Sequence, residues 1–360
     1  MAELWKDKLN HDSLREFALA IQADYHPFKI DEFLTSTIDE TWGGLELLAR
    51  GRKITENLGK FLPENYEEAL GIIDQVIATH AGLAVYSFPN FIEMFGQDEK
   101  HWDASIAALA RYTQYASSEF AVRPFIIKHQ DRMMAQMFNW SKHENEHIRR
   151  LASEGCRPAL PWGVALVNFK KDPSPVLPIL EQLKTDPSLY VRRSVANNLN
   201  DISKTHPDLI AKLARDWHGK NPDTDWIIKH ACRTLLKQGN REVLALFGFQ
   251  DTTPINVSDL CLDRTSISIG EDLKFSFTIS NEQPAKVRLE YAINYVKANG
   301  KRSRKVFQIS ESKFGENQSK NYSKKHSFAD VSIRKHYPGT HSVTIIVNGV
   351  ERGTQDFTVS

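Results

Sequence analysis

Three observations predict a multidomain chain, α then β, in which an α-solenoid of helical repeats precedes a β-sandwich. Apolar residues keep the 3.6-residue helical period up to about residue 250. Within that stretch one motif returns at intervals of about forty residues, and past Pro254 the period falls to two. The chain has 360 residues, enough for two or three domains with cores of their own.

The first helical stripe carries Leu14, Phe17, Ala18 and Ile21, with Asp12 or Ser13 before it as N-cap. A second carries Ile72, Ile73, Val76 and Ile77 and is opened by Pro63 and Glu64. Pro173, Pro187, Pro207 and Pro222 cut the later helical part into short units, each the size of a helix pair. Three segments there superpose: His147-Ile148-Arg149-Arg150, Tyr190-Val191-Arg192-Arg193 and Ile227-Ile228-Lys229-His230. Their starts lie 43 and then 37 residues apart, the period of HEAT or armadillo repeats. One such helix cannot bury its apolar face alone; stacked neighbours can. Residues 1–250 are therefore expected to form an α-solenoid of HEAT-like helical repeats, and 251–254 a linker.

Residues 255–360 read as strands. Leu273 to Ile279, Val287 to Tyr291 and Lys305 to Ile309 alternate apolar and polar, and Thr344 to Val347 leads through Asn348-Gly349 toward Gln355 to Val359. Asn-Gly between apolar runs marks a hairpin, because a type I′ turn needs positive φ at both central residues. Short strands at this spacing predict an immunoglobulin-like β-sandwich, one whose lone Cys261 leaves the core to be held by packing.

Composition removes several classes. With 41% hydrophobic and 25% charged residues the chain is neither collagen-like nor disordered. No run approaches the ~20 apolar residues of a membrane span, and the amino terminus lacks a signal-peptide core, so the expected address is the cytoplasm, with no membrane partner. Cys156, Cys232 and Cys261 match no zinc or disulfide spacing. The net charge of +1 conceals a split: roughly 9 basic against 18 acidic residues in the first hundred, and a basic remainder. A polyanion would be met by the later segments.

Three constellations bear on chemistry. His143-Glu144-Asn145-Glu146-His147 spells H-E-x-x-H, but its polar flanks offer no buried helix face to shield zinc, so it reads as an inter-helix turn with no metal. Arg149, Arg150, Arg192, Arg193, Lys229, His230, Arg233 and Lys237 recur at one phase of successive repeats, where guanidinium groups suit phosphates. The competing reading is inter-repeat ion pairs with Asp186, Asp201 and Glu154. Asn197 and Asn198, amides inside a helix, favour phosphate or groove contacts. Third, Glu119, Glu154 and Asp201 lie in or beside this basic stripe, and acids among cations are held ionised, ready to stabilise a positive transition state or position a water. Trp162 offers a flat aromatic wall and Trp226 another.

The blocks His147 to Gly155, Arg157 to Gly163, Val191 to Asp201 and Trp226 to Lys237 together resemble the AlkC branch of the AlkC/AlkD family of HEAT-like-repeat DNA glycosylases. The resemblance covers the organisation of most of residues 1–250, and some members carry a carboxy-terminal immunoglobulin-like domain like residues 255–360. It implies excision of N3-alkylated bases, 3-methyladenine and 3-methylcytosine, from double-stranded DNA, leaving an abasic site and using no cofactor. An N3-alkylated base is cationic and its glycosidic bond already weak, so carboxylates that stabilise an oxocarbenium-like sugar suffice. Family members grip the lesion through the backbone without drawing the base into a deep pocket. Carried over, the resemblance implies catalytic roles for Glu154, Asp201 and Glu119 and a cation–π or packing role for Trp162. It implies phosphate contacts for Arg149, Arg150, Arg157, Arg192, Arg193, Lys229, His230, Arg233 and Lys237.

In the sandwich, Lys297, Lys301, Arg302, Arg304 and Lys305 surround Asn299-Gly300, and Lys320, Lys324, Lys325 and His326 form a second cluster. These read either as loops closing over a duplex or as solubilising hairpin tips. A non-catalytic HEAT-repeat scaffold that binds DNA or an acidic protein is the alternative function, and a monomer the expected state.

Overall fold

The computed structural model describes residues 5–80, 82–249, 255–331 and 334–360; the expected linker, 251–254, lies outside them. Helices run from Trp5 to Leu246 and strands from Ile255 to Val359, α before β as the periodicity requires. No helix among the described residues is long and apolar enough to cross a membrane. Contacts divide the chain into two compact units: Met1–Thr205 with Asn221–Ile227, and His206–Lys220 with Ile228–Ser360.

In the first unit, helix His11–Asp24 buries Leu14, Phe17, Ala18 and Ile21. Its cap is Asn10, two or three residues earlier than the sequence suggests: Asn10 Oδ1 accepts from the Ser13 N–H at 3.0 Å while Ser13 Oγ accepts from the Asn10 N–H at 3.0 Å. Ser13 is thus the return partner of a capping box. Helix Tyr66–Thr79 is capped by Asn65 and buries Ile73, Val76 and Ile77, with Ile72 half-buried.

The repeats pair Gln130–Trp140 with Glu146–Glu154 and Leu177–Leu183 with Leu189–Ile202. Asn145 caps Glu146–Glu154, so His143 precedes the helix and accepts the Asn145 N–H on Nδ1 at 3.0 Å. The two histidines of the H-E-x-x-H run therefore do not share a helix face.

The recurrent first arginine of each repeat is a staple. Arg149 donates to the carbonyls of His143 and Glu144 and pairs with Asp186 at 2.6 Å. Arg192 donates to the carbonyls of Asp186 and Pro187 and pairs with Asp223 at 3.1 Å. Each guanidinium closes the turn before its own helix and ties it to an acid from the next repeat. In the second unit Lys229, at the same phase, pairs with Glu311 of the sandwich at 2.9 Å. A strand stands where a fourth repeat would have supplied the acid.

The sandwich of the second unit consists of β1 (Ile255–Leu262), β2 (Ser266–Ile267), β3 (Asp272–Asn281), β4 (Ala285–Val296), β5 (Arg302–Phe314), β6 (Ser319–Ser327), β7 (Gly339–Val347) and β8 (Val350–Val359). One sheet has the order β1-β3-β6 and the other β2-β8-β7-β4-β5. Leu273, Phe275, Phe277 and Ile279 fill the space between them with Val287, Leu289, Val343 and Ile345. Asn348 and Gly349, at φ 49° and 80°, form the expected tight turn between β7 and β8. Strand β4 departs from simple alternation. Arg288 and Glu290 are buried as deeply as their apolar neighbours, because β4 is flanked on both sides, by β7 and β5, and its second face carries a charge network to Glu311 and Lys229. Cys261 is exposed, and apolar packing holds this core.

Candidate functional site

The three acids singled out in the sequence are joined, within the first unit, by two arginines. Glu154 ends helix Glu146–Glu154, and its Oε1 accepts from Arg157 Nη1 at 2.6 Å and faces Arg150 Nη2 at 3.6 Å. Arg157 Nε reaches Asp201 Oδ2 at 2.8 Å, and Lys204 covers Asp201 Oδ1 at 2.9 Å. Arg150 Nη1 pairs with Glu119 Oε2 at 2.5 Å and donates to Ser117 Oγ at 2.8 Å, while Ser117 Oγ donates to the same Glu119 oxygen at 2.8 Å. Acid and base alternate along the whole chain of contacts, which balances the buried charge. Burial works against the charge on Arg157, yet Glu154 and Asp201 outweigh it and hold its pKa above the ordinary arginine value.

The acids differ in what remains open. Asp201 has both oxygens engaged. The contacts of Glu119 fall on Oε2 alone and those of Glu154 on Oε1 alone, so Glu119 Oε1 and Glu154 Oε2 have no hydrogen bond or ion pair among the described residues. Their side chains are 15% and 7% exposed, respectively.

Trp162 stands beside this network, 88% exposed and at φ 63°. A bulky residue in the left-handed region stores on the order of 1–3 kcal/mol, and only a well-anchored loop sustains that. The anchor is Arg123, which is fully buried and donates from Nε to the Val164 carbonyl at 2.6 Å and from Nη1 to the Gly155 carbonyl at 2.9 Å. Burial pulls its pKa down to about 10. Gly163 fits under the turn because an added Cβ would lie 3.2 Å from Leu160 and Phe120. Glu119 and Trp162 share the lining of a hollow of about 270 Å³ with Trp5, Leu48, Tyr86 and Asn90.

The basic residues separate into classes that the sequence did not distinguish. Arg150 and Arg157 belong to the acid network, and Arg149 and Arg192 are the repeat staples. Asn198, expected to touch DNA, is fully buried; its amide donates to the Ser153 carbonyl at 2.8 Å, which removes it from any duplex. Asn197 is half-buried and Arg193 is exposed. Lys229 is committed to Glu311, and Arg233 donates to the His230 carbonyl at 2.8 Å, both residues being half-buried. Lys237, Lys301, Arg302 and Arg304 are exposed, Arg304 beside Glu351 at 2.7 Å. His326, placed in a basic cluster by sequence, is buried between the hydroxyls of Tyr291 and Tyr295 at 2.9 and 2.6 Å.

Residues 98–235 match the model of the DNA alkylation repair enzyme family, and residues 256–360 that of the YhaZ carboxy-terminal Ig-like domain. The chain is 48% identical over 359 residues to the uncharacterised protein YhaZ of Bacillus subtilis (strain 168), covering all of both. It superposes on Pseudomonas fluorescens alkylpurine DNA glycosylase AlkC, solved bound to DNA containing an abasic site analog, with a TM-score of 0.92 at 35% identity over 99% of each chain. The chain belongs to the AlkC branch of the DNA alkylation repair glycosylases.

Several residues around this network escaped sequence reading. Arg123 is a lone charge inside the apolar run Phe120-Ala121-Val122-Arg123-Pro124-Phe125, a pattern that signals a buried, carbonyl-bound cation. Ser117 and Tyr190, the latter under Arg150 at 5.0 Å, carry no such signal. Neither do Trp5, Leu48 and Tyr86, which only the fold brings to Glu119.

Proposed function

We propose that this AlkC-type chain hydrolyses the N-glycosidic bond of N3-alkylated bases in duplex DNA, 3-methyladenine and 3-methylcytosine, and leaves an abasic site. The observation that carries the reading is the pair of half-engaged carboxylates joined by Arg150, Glu119 and Glu154, the first of them in a hollow lined also by the exposed Trp162. As the bond between C1′ and the base breaks, its electron pair leaves with the base and cancels the base's positive charge. The sugar becomes oxocarbenium-like, and the open oxygens of Glu119 and Glu154 are the groups to stabilise it. Water adds to C1′ and loses its proton through a carboxylate to solvent. Asp201, with both oxygens bound, acts by fixing Arg157 and through it Glu154. Trp162 packs against the lesion, where a cationic base gains from the indole face. Exposed Arg193, Lys237, Lys301 and Arg302 are the proposed phosphate contacts.

Chromatography of free bases released from methylated duplex DNA tests this. Wild-type protein is expected to release 3-methyladenine and 3-methylcytosine. Duplex binding without release of any base would leave a non-catalytic DNA-binding scaffold as the function.

A further inference from the structure

Arg150 is common to both half-engaged carboxylates: Nη1 pairs with Glu119 Oε2 at 2.5 Å, and Nη2 faces Glu154 Oε1 at 3.6 Å. A guanidinium donates only in its own plane, so the tilt of that plane decides which oxygen of each acid is engaged and which stays open. Ser117 Oγ, accepting from Nη1 at 2.8 Å, steadies one edge. The face is covered by a ring from the next repeat. Tyr190 belongs to helix Leu189–Ile202, and its ring centroid lies 5.0 Å from the Arg150 guanidinium carbon. The ring is itself held by an edge contact with His147, centroids 5.6 Å apart at 66°. Burial pushes the Tyr190 pKa up, and the charges of Arg150, Glu119 and Glu154 act on it too, which puts the phenol beside both acids. The repeats supply a contrast. Tyr190 and Ile227 hold the same place in successive repeats, as do Arg150 and Arg193. Ile227 is fully buried and has no ring to lend, and Arg193 is exposed.

We infer that Tyr190 is a positioning residue of the reaction: its ring caps Arg150 and holds the guanidinium plane toward Glu119 and Glu154, so that Glu119 Oε1 and Glu154 Oε2 stay free. The inference rests on the proposed glycosylase reading and deepens it, by naming what keeps the two carboxylates in their working arrangement. Tyr190 acts through Arg150 and touches no reacting atom. An aromatic face attracts the guanidinium and keeps water from one side of it, which strengthens the pull of the cation on both acids. Without the ring Arg150 is free to turn toward solvent, and the two carboxylates lose a shared counter-charge. Ionised acids that lose a nearby cation take up protons more readily. The same capping separates Arg150 from Arg193 in function, the first committed to the acids and the second open to a phosphate.

The test compares Tyr190→Leu with Tyr190→Phe in the full chain, each normalised to folded protein. Tyr190→Leu is expected to lower single-turnover release of 3-methyladenine from methylated duplex about tenfold, with affinity for a duplex carrying an abasic-site analog unchanged. The acid limb of its pH–rate profile should move up by about one pH unit. Tyr190→Phe keeps the ring and should restore both rate and profile. A second readout needs no substrate: in the free protein labelled with 15N-arginine, exchange of the Arg150 Nε–H with solvent should quicken about tenfold in Tyr190→Leu and not in Tyr190→Phe. Wild-type release and profile in Tyr190→Leu overturn the inference, as does an equal loss in both variants, which would place the function in the hydroxyl. Weaker binding of the abasic duplex with an unmoved acid limb overturns it too, by making Tyr190 a DNA contact. Base release by a wild type whose Arg150 exchange ignores Tyr190 leaves the glycosylase reading standing without this role. Exchange governed by the ring in a protein that releases no base removes the glycosylase reading and keeps the clamp on Arg150.

Discussion

In the first unit Glu119, Arg150, Glu154, Arg157 and Asp201 alternate acid and base; in the second, Lys229, Glu311, Arg288 and Glu290 do the same. Both networks are largely buried, and by pairing alone they are indistinguishable. Their surroundings separate them. The first leaves Glu119 Oε1 without a partner in a hollow that the exposed Trp162 also lines, with Glu154 joined to it through Arg150. The second lies on strand β4 with Arg288 and Glu290 sealed from solvent, while its partly exposed acid, Glu311, is engaged by both Arg288 and Lys229. A buried ion pair is weak evidence for stability or function until the path to its unused atoms is known.

Substitutions in the two networks should therefore break different properties. The largest effect expected is on excision: Glu154→Gln and Glu119→Gln each lower single-turnover base release per folded molecule about a hundredfold or more, and Glu154→Gln, which leaves buried Arg157 with Asp201 alone, also lowers the melting temperature. Asp201→Asn lowers it as well, and Arg157→Lys in the same background adds little, because both act through one contact. Glu290→Gln should do the opposite. Taking one of its two acids from buried Arg288 costs about 3 kcal/mol of unfolding free energy by urea denaturation, while base release per folded molecule stays at the wild-type rate.

The next effect is on loop geometry. Arg123→Met removes two donors from the carbonyls that hold the Trp162 loop, and a loss of about tenfold in excision with weaker trapping of DNA is expected in the same release assay. Smaller still is the division among the arginines. Arg193→Ala should lower the salt dependence of DNA affinity by about one unit of slope, whereas Arg192→Ala should reduce stability and leave the slope alone.

The two units also differ toward acid. Burial pushes the pKa of His326 from 6.5 down to about 4, and those of His336 and His341 down as well. The unfolded chain then binds more protons than the folded one below pH 6.5, so these groups contribute stability that is present above that pH and lost as pH falls toward 4. Thermal melts followed from pH 7 to 4 should show the sandwich unit weakening first, and His326→Gln should flatten that dependence.

Much of this was legible in the sequence, for reasons that can be named. Periods of 3.6 and two gave the order of helices and strands, and Asn348-Gly349 gave the last hairpin, because each rests on local geometry. The repeated basic pair was visible, but its two halves were not separable by spacing. Only the carbonyls of the preceding turn and the acids Asp186 and Asp223 show that Arg149 and Arg192 are staples. Asn198 looked like a surface amide because its partner, the Ser153 carbonyl, lies 45 residues away. Glu119, Glu154 and Asp201 were found as acids among cations. Which of their oxygens stay open depends on side-chain direction, and no pattern along the chain encodes it. Trp5, Leu48 and Tyr86 reach Glu119 through tertiary packing alone.

The most direct test is to measure single-turnover release of 3-methyladenine from methylated duplex by Glu154→Gln and Glu290→Gln side by side, normalised to folded protein. The open network predicts a loss of about a hundredfold or more in the first variant and wild-type release in the second. Equal rates in the two, or a deficit confined to Glu290→Gln, would contradict the claim that open carboxylate oxygens in the first unit perform the chemistry.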